Sequence, residues 1–252
     1  MTNLKNVLFP EFPEVATARW EEQIIADLKG KDYEKTLVWH TSEGFSVRPY
    51  YRAEDLEGKE FLNANPGEFR FVRGIRPDNN WLIRQDIVVT DLKEANEKAL
   101  SVLNKGINSL GFIFDCSHKI TIEELRVLLK DIWLDAAEIN FVCSCKNCNI
   151  TGEFIQLVSE GPWDKNKIRA SMSNDPLTVW MLKGKMDGSC ENSLFSDLEK
   201  QVETGNTLPG FRTIGVNGKY FGNSGSSIVQ ELAFSLSMGA EYLTRLTGLG
   251  MK

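Results

Sequence analysis

The chain has 252 residues, 42% of them apolar and 25% charged, with a formal net charge of −6. That is enough apolar content for a core and too much for a disordered chain, and the acidic balance carries no basic patch of the kind a nucleic-acid binder shows. No run of about 18 apolar residues occurs, so no membrane span is expected, and the first twenty residues lack the basic-then-apolar order of a secretory signal.

Residues 1–65 read as an arm ahead of the main fold, residues 66–252. Leu8-Phe9-Pro10-Glu11-Phe12-Pro13 is apolar but broken by proline, so it can lie on a surface and cannot form a helix. Val15 to Leu28 follows as a helix, with Trp20, Ile24, Ile25 and Leu28 at helical spacing and Gly30 as its stop. The apolar face of this arm packs on its own domain or wraps a partner subunit.

From residue 70 the pattern alternates strand and helix. Trp81 to Val89 is strand-like, and Asp91 can cap a helix from Leu92 to about Lys105, ended by Gly106. Leu110–Phe114 reads as a second strand. Thr121 and Glu124 form a capping box for a helix reaching about Trp133. Glu138–Val142 is a third strand, followed by a helix from about Thr151 to Val158. Ile168–Met172 is a fourth strand, with a helix around Ser193–Val202 after it. Phe211–Val216 is a fifth strand, and a long amphipathic helix runs from Ser226 to about Leu246.

Short, largely apolar strands alternating with helices predict an α/β fold with parallel strands and right-handed crossovers. The spacing alone fits both a doubly wound open sheet and a (β/α) barrel. About five units are visible where a barrel needs eight, so a barrel here is partial.

The chemistry-bearing patterns are each open to a plain structural reading. Cys143, Cys145 and Cys148 could hold zinc with His118 or Cys116, but no second ligand pair accompanies them, so thiols packed as small residues is the favoured reading. Five cysteines in a chain this long do not form a disulfide framework, and a cytoplasmic setting is expected. Gly222 to Ser227 precedes the last helix and could cradle an anion, though a turn with serine caps explains it better. Arg70, Arg73, Arg76 and Arg84 could bind phosphate or pair with acids. His40 and His118 have no serine or cysteine arrangement around them that suggests a triad. Spacing alone names no acid–base pair.

Several segments together resemble the methylmalonyl-CoA mutase family. They are Lys35–Leu37 through Thr41-Ser42-Glu43-Gly44 to Pro49-Tyr50-Tyr51; Arg73-Gly74 followed by Trp81-Leu82-Ile83-Arg84-Gln85; and Ala95-Asn96-Glu97 followed by Leu110 to Asp115. Asn174-Asp175-Pro176-Leu177, and Gly225 with Val229-Gln230-Glu231-Leu232-Ala233-Phe234, complete the set. Their order and separation match the family from about residue 15 to 247. The resemblance implies an eight-stranded parallel barrel, here in part, and the interconversion of methylmalonyl-CoA and succinyl-CoA through radicals from adenosylcobalamin. In the family's active subunit the CoA threads the barrel axis, and a tyrosine and a histidine assist over the substrate.

This chain departs from that pattern. Only Ile75 to Asn80 separates Arg73-Gly74 from Trp81, so the active-site tyrosine of the "T-M-Y" stretch has no counterpart. Tyr220 to Gly225 stands where the family carries its histidine, and Asp115-Cys116-Ser117-His118 lacks the spacing of the D-x-H-x-x-G cobalamin motif. The resemblance therefore implies a small subunit with no catalytic residue of its own, in a heterodimer whose large subunit binds adenosylcobalamin and acts on the acyl-CoA. Arg73, Arg84, Gln85, Asn174 and Gln230 are the remnants of the substrate pocket it implies. Two other readings remain open: a metal-dependent enzyme of another class on a barrel scaffold, and an acyl-CoA binder without turnover that uses Arg73 and Arg84.

Overall fold

The computed structural model describes residues 11–114, 119–143, 149–184 and 191–251. They form two compact units, one ending at Asp78 and the other starting at Asn79.

In the first unit, helix α1 (Thr17–Leu28) ends where Lys29 turns left-handed at φ 51° and its N–H closes on the Ala26 carbonyl. Gly30 follows at φ +86°, a conformation glycine adopts without steric cost. Helix α2 (Tyr33–Leu37) is capped by Asp32, which accepts from the Lys35 N–H. Strands β1 (Trp39–His40) and β2 (Ser46–Val47) make a short antiparallel hairpin, and two 3-10 turns follow. Aromatic and arginine contacts hold this unit. The Trp20 and Tyr50 rings lie 5.8 Å apart, Arg52 sits 5.7 Å over Trp20, and the Tyr50 hydroxyl donates to Glu21. No residue of α1 is buried. Thr41, a polar side chain, is the one buried residue among the described residues of this unit.

The second unit is a sheet of five parallel strands in chain order: β3 (Arg84–Val89), β4 (Ser109–Phe114), β5 (Glu138–Val142), β6 (Ala170–Asn174) and β7 (Phe211–Ile214). Helices α3 (Leu92–Leu103), α4 (Ile122–Leu128), α5 (Ile150–Glu160) and α7 (Glu191–Gly205) alternate with the strands and pack side by side. Helix α6 (Pro176–Lys183) precedes α7, and α8 (Lys219–Asn223) and α9 (Ile228–Gly248) follow β7. The strand order never reverses, as it would in a doubly wound sheet. The expected partial barrel is therefore what forms, with its sheet left open.

The core lies between sheet and helices. Ile87, Leu110, Phe112, Ile139, Phe141, Met172 and Phe211 pack against Ala95, Ala99, Leu125, Leu128, Phe154 and Leu157. Phe112, Phe141, Phe154 and Phe211 form a run of ring contacts at 6.4, 5.2 and 6.0 Å, and burying each ring contributes roughly 1.5–3 kcal/mol. The caps read from sequence are present. Asp91 accepts from the N–H groups of Lys93 and Glu94, and Thr121 and Glu124 form their reciprocal box.

Two boundaries and one helix differ most from expectation. Helix α4 stops at Leu128 rather than near Trp133: the Asn96 amide donates to the Leu128 and Lys130 carbonyls, and Asp131 turns left-handed at φ 61°. The first strand of the sheet begins at Arg84, because Asn108 takes both the N–H and the carbonyl of Ile83. Helix α6 was not read from sequence, although Asp175 caps it and Pro176 opens it.

Candidate functional site

Side chains alternate along a strand, so a sheet with one face on its helices turns the other inward, toward the axis of the partial barrel. The pairing register sets which residues meet there. Arg84 lies beside Ser109 and Glu138; Asp86 lies beside Gly111, Asn140, Ser171 and Arg212. All five strands place polar residues on this inner face.

Glu138 is its centre. Ser109 Oγ donates to Glu138 Oε2 at 2.7 Å, and Arg212 Nη2 donates to Oε1 at 2.6 Å. Asn140 Nδ2 reaches Ser109 Oγ, the Leu110 carbonyl and Glu138 Oε2 within 3.2 Å, and Ser171 Oγ donates to Asn140 Oδ1 at 2.6 Å. Ser109, Glu138 and Asn140 are buried. Burial pushes the Glu138 carboxyl up, but hydrogen bonds from Ser109 and Asn140 and the charge of Arg212 outweigh it and hold the carboxyl below its ordinary range. At the end of the ladder Arg84 Nε donates to Asp86 at 2.6 Å, across Gly111. A methyl group on Gly111 would collide with that pair, so the glycine is what lets it fold over the sheet.

A second polar node sits at the C-terminal ends of β6 and β7, the end that carries active sites in barrel enzymes. Asp175 is buried and accepts from the Thr178 N–H and hydroxyl, from the Asn217 N–H and from the Tyr242 hydroxyl at 2.7 Å. The Leu177 N–H donates back to the Tyr242 oxygen. Burial and the Asp175 carboxylate push the Tyr242 phenol well up, so it stays protonated and serves as a donor. The node joins α6, the loop after β7 and α9, beside a small core of Phe195, Leu198, Tyr242 and Leu246.

The residues read from sequence as pocket remnants are dispersed. Arg73 lies in the first unit and donates to the Leu62 carbonyl. Arg84 stands at the N-terminal end of β3 on the inner face, whereas Gln85 points to the other face. Asn174 donates to Gln201 of α7. Gln230 completes the capping box of α9 with Ser227, so the stretch from Gly222 works as a turn with a serine cap. The carboxylate of Glu231 sits over Gly222, where an anion would be repelled. The functional-looking residues missed in the sequence are Glu138, Asn140, Ser171, Arg212, Asp175 and Tyr242. The polar–apolar alternation in Ser109 to Phe112 and Glu138 to Phe141 was their signal.

Cys143 is buried just past β5, and Cys145, Cys148, Cys116 and His118 lie outside the described residues. Among the described residues no group of three or more histidine, cysteine or acidic side chains could hold a metal. Of the two histidines in the sequence the described one, His40, sits in the hairpin with Nδ1 against Ser46 Oγ at 2.9 Å. Among the described residues no helix is long and apolar enough to cross a membrane.

Comparison with known proteins agrees with the fold. The family model described as methylmalonyl-CoA mutase matches residues 40–124 and 119–252. The chain is 42% identical to the methylmalonyl-CoA mutase small subunit of Porphyromonas gingivalis, a match covering all of this chain and 40% of that protein. It is 26% identical to the methylmalonyl-CoA mutase small subunit of Streptomyces virginiae, over 97% of this chain and 41% of that one. It is also 26% identical to the methylmalonyl-CoA mutase of Rhizobium meliloti, over 85% of this chain and 34% of that one. The chain thus spans well under half the length of these relatives, and it belongs to the methylmalonyl-CoA mutase family.

Proposed function

We propose that the chain is the first part of the barrel of a non-catalytic small subunit in a heterodimeric, adenosylcobalamin-dependent methylmalonyl-CoA mutase. It contributes to an isomerase without turning over substrate. The large subunit binds the cofactor and converts methylmalonyl-CoA to succinyl-CoA, and this chain stabilises it. The cytoplasmic setting, drawn from the cysteine pattern, belongs to the same reading.

One observation carries the proposal: the inner face of the sheet is filled by its own hydrogen bonds. Where a bound acyl-CoA chain would need free donors and acceptors, Ser109, Glu138, Asn140, Ser171 and Arg212 satisfy one another. Arg73, Arg84, Gln85, Asn174 and Gln230 meanwhile have separate structural partners or faces. The names of the small-subunit relatives support a large partner, and the first unit is built to meet one. No residue of its helix α1 is fully buried, and Phe12, Trp39, Phe45, Phe69 and Ile75 are exposed.

The test is to express the chain with and without a mutase large subunit and to follow adenosylcobalamin binding, isomerisation and co-purification. Alone, the chain is expected to bind no cofactor and show no turnover. With the large subunit it should co-purify, and removing residues 1–30 should weaken that association. Isomerisation by the chain alone would sink the proposal.

A further inference from the structure

The turn after α4 and the loop after α5 frame an open cleft of about 360 Å³, within the size range of small-molecule sites. Both segments lead into the N-terminal ends of strands, β5 and β6, the end that barrel enzymes do not use for catalysis. The floor of the cleft is apolar, because Leu129, Ile132 and Leu157 belong to the core. Two indoles stand beside it. Trp163 packs on the core with its ring over Gly161, where a methyl group would collide with it. Trp133 is 75% exposed, a large aromatic surface left in water next to an apolar floor.

The turn that carries Trp133 is held in place by the fold. The buried Asn96 amide of α3 donates to the Leu128 and Lys130 carbonyls at 2.8 Å each, and Asp131 closes the turn in the left-handed region. An ion pair between Arg126 and Glu160 ties the end of α4 to the end of α5. That pairing leaves two charged groups on the rim, the Lys130 ammonium and the Asp131 carboxylate. Neither makes a hydrogen bond or an ion pair among the described residues. An anionic ligand on Lys130 would face Asp131, and a cationic ligand on Asp131 would face Lys130. A zwitterion gives each group an opposite charge, and the floor and the indoles then receive its apolar part.

We propose that this cleft binds a free α-amino acid with an aromatic or branched aliphatic side chain, its carboxylate on Lys130 and its ammonium on Asp131. The side chain lies on Leu129, Ile132 and Leu157 between the indoles. The site uses none of the inner-face residues and stands independently of the small-subunit reading.

Calorimetric titration of the chain tests it with three ligands: L-phenylalanine, 3-phenylpropionate, which lacks the ammonium, and phenethylamine, which lacks the carboxylate. L-phenylalanine should bind saturably with a Kd at or below about 1 mM. Each analogue should bind at least about tenfold more weakly, the loss expected for one charge-assisted contact. Lys130→Gln should weaken phenylalanine about tenfold and spare phenethylamine. Asp131→Asn keeps a residue that tolerates the left-handed turn, and should weaken phenylalanine similarly while sparing 3-phenylpropionate. A merely structural effect would weaken all three ligands alike. Trp133→Ala, at an exposed position, should weaken all three. No saturable binding up to about 10 mM, an analogue as tight as phenylalanine, or any of the three substitutions without effect would overturn the proposal. Equal binding of N-acetyl-phenylalanine amide would also overturn it, because the cleft would then take a protein side chain. If the variants do not fold, the ranking of the four ligands on the unsubstituted chain decides.

Discussion

Residues 84–248 enclose an apolar core, and residues 17–63 do not. In the sheet unit Phe112, Phe141, Phe154, Leu125 and Leu128 are fully enclosed, and the polar residues of the inner face are enclosed with their partners. In the first unit Trp20, Ile25, Trp39, Phe45 and Phe61 face outward, and the sole enclosed residue among those described is Thr41. Its order rests on ring stacking, arginine–aromatic contacts and ion pairs such as Arg48–Asp55. Exposed contacts of this kind contribute about 0–1 kcal/mol each. A segment of this size without an apolar core is marginal by itself. The contrast teaches that one unit carries a buried apolar core and the other is ordered by exposed contacts alone.

That contrast can be attacked residue by residue. Phe141→Ala removes the ring shared by Phe112 and Phe154 and should cost about 3–5 kcal/mol in urea unfolding of the isolated chain; a cost under 1 kcal/mol would mean the core is not where the stability lies. Glu138→Ala leaves Ser109, Asn140 and Arg212 without their shared acceptor and should cost about 1–3 kcal/mol, since Arg212 itself is well exposed. The pH dependence has a definite sign. The Glu138 carboxyl is held below its ordinary value, so its contribution is complete above the ordinary glutamate pKa and is lost as pH falls through the depressed value. Glu138→Gln should therefore be less stable than the wild type at neutral pH, with the gap narrowing on acidification; a gap that does not narrow would dispute the charge's role.

Tyr242→Phe keeps the ring in the small core and removes the donor to Asp175, for an expected loss of about 0.5–1.5 kcal/mol. Smallest in stability is Trp20→Ala. It should shift unfolding by no more than about 0.5 kcal/mol, yet reduce co-purification with a large subunit. Unimpaired association would remove α1 from the interface.

Much of the sheet unit was legible because local signals and tertiary packing agree there. The caps at Asp91 and at Thr121 with Glu124 fixed helix starts, and short apolar runs fixed strands. Boundaries were misread where a distant side chain intervened, as Asn96 does at the end of α4 and Asn108 at the start of β3. The inner-face network was hidden for a different reason. Parallel barrel strands are usually apolar on both faces, so Ser109, Glu138, Asn140 and Ser171 read as interruptions rather than as one facing set. Only the pairing register shows that they meet. Asp175 could be read as a helix cap next to Pro176, but its bond to Tyr242, 67 residues away in sequence, could not.

The difference between the two units is best measured by hydrogen exchange of the chain alone and again with a mutase large subunit. The structure predicts that amides of Thr17–Leu28 exchange quickly in the isolated chain while those of β4 and β5 exchange slowly, and that adding the large subunit protects Thr17–Leu28. Amides of Thr17–Leu28 that are already as slow as those of the sheet, and are unchanged by the partner, would contradict this account.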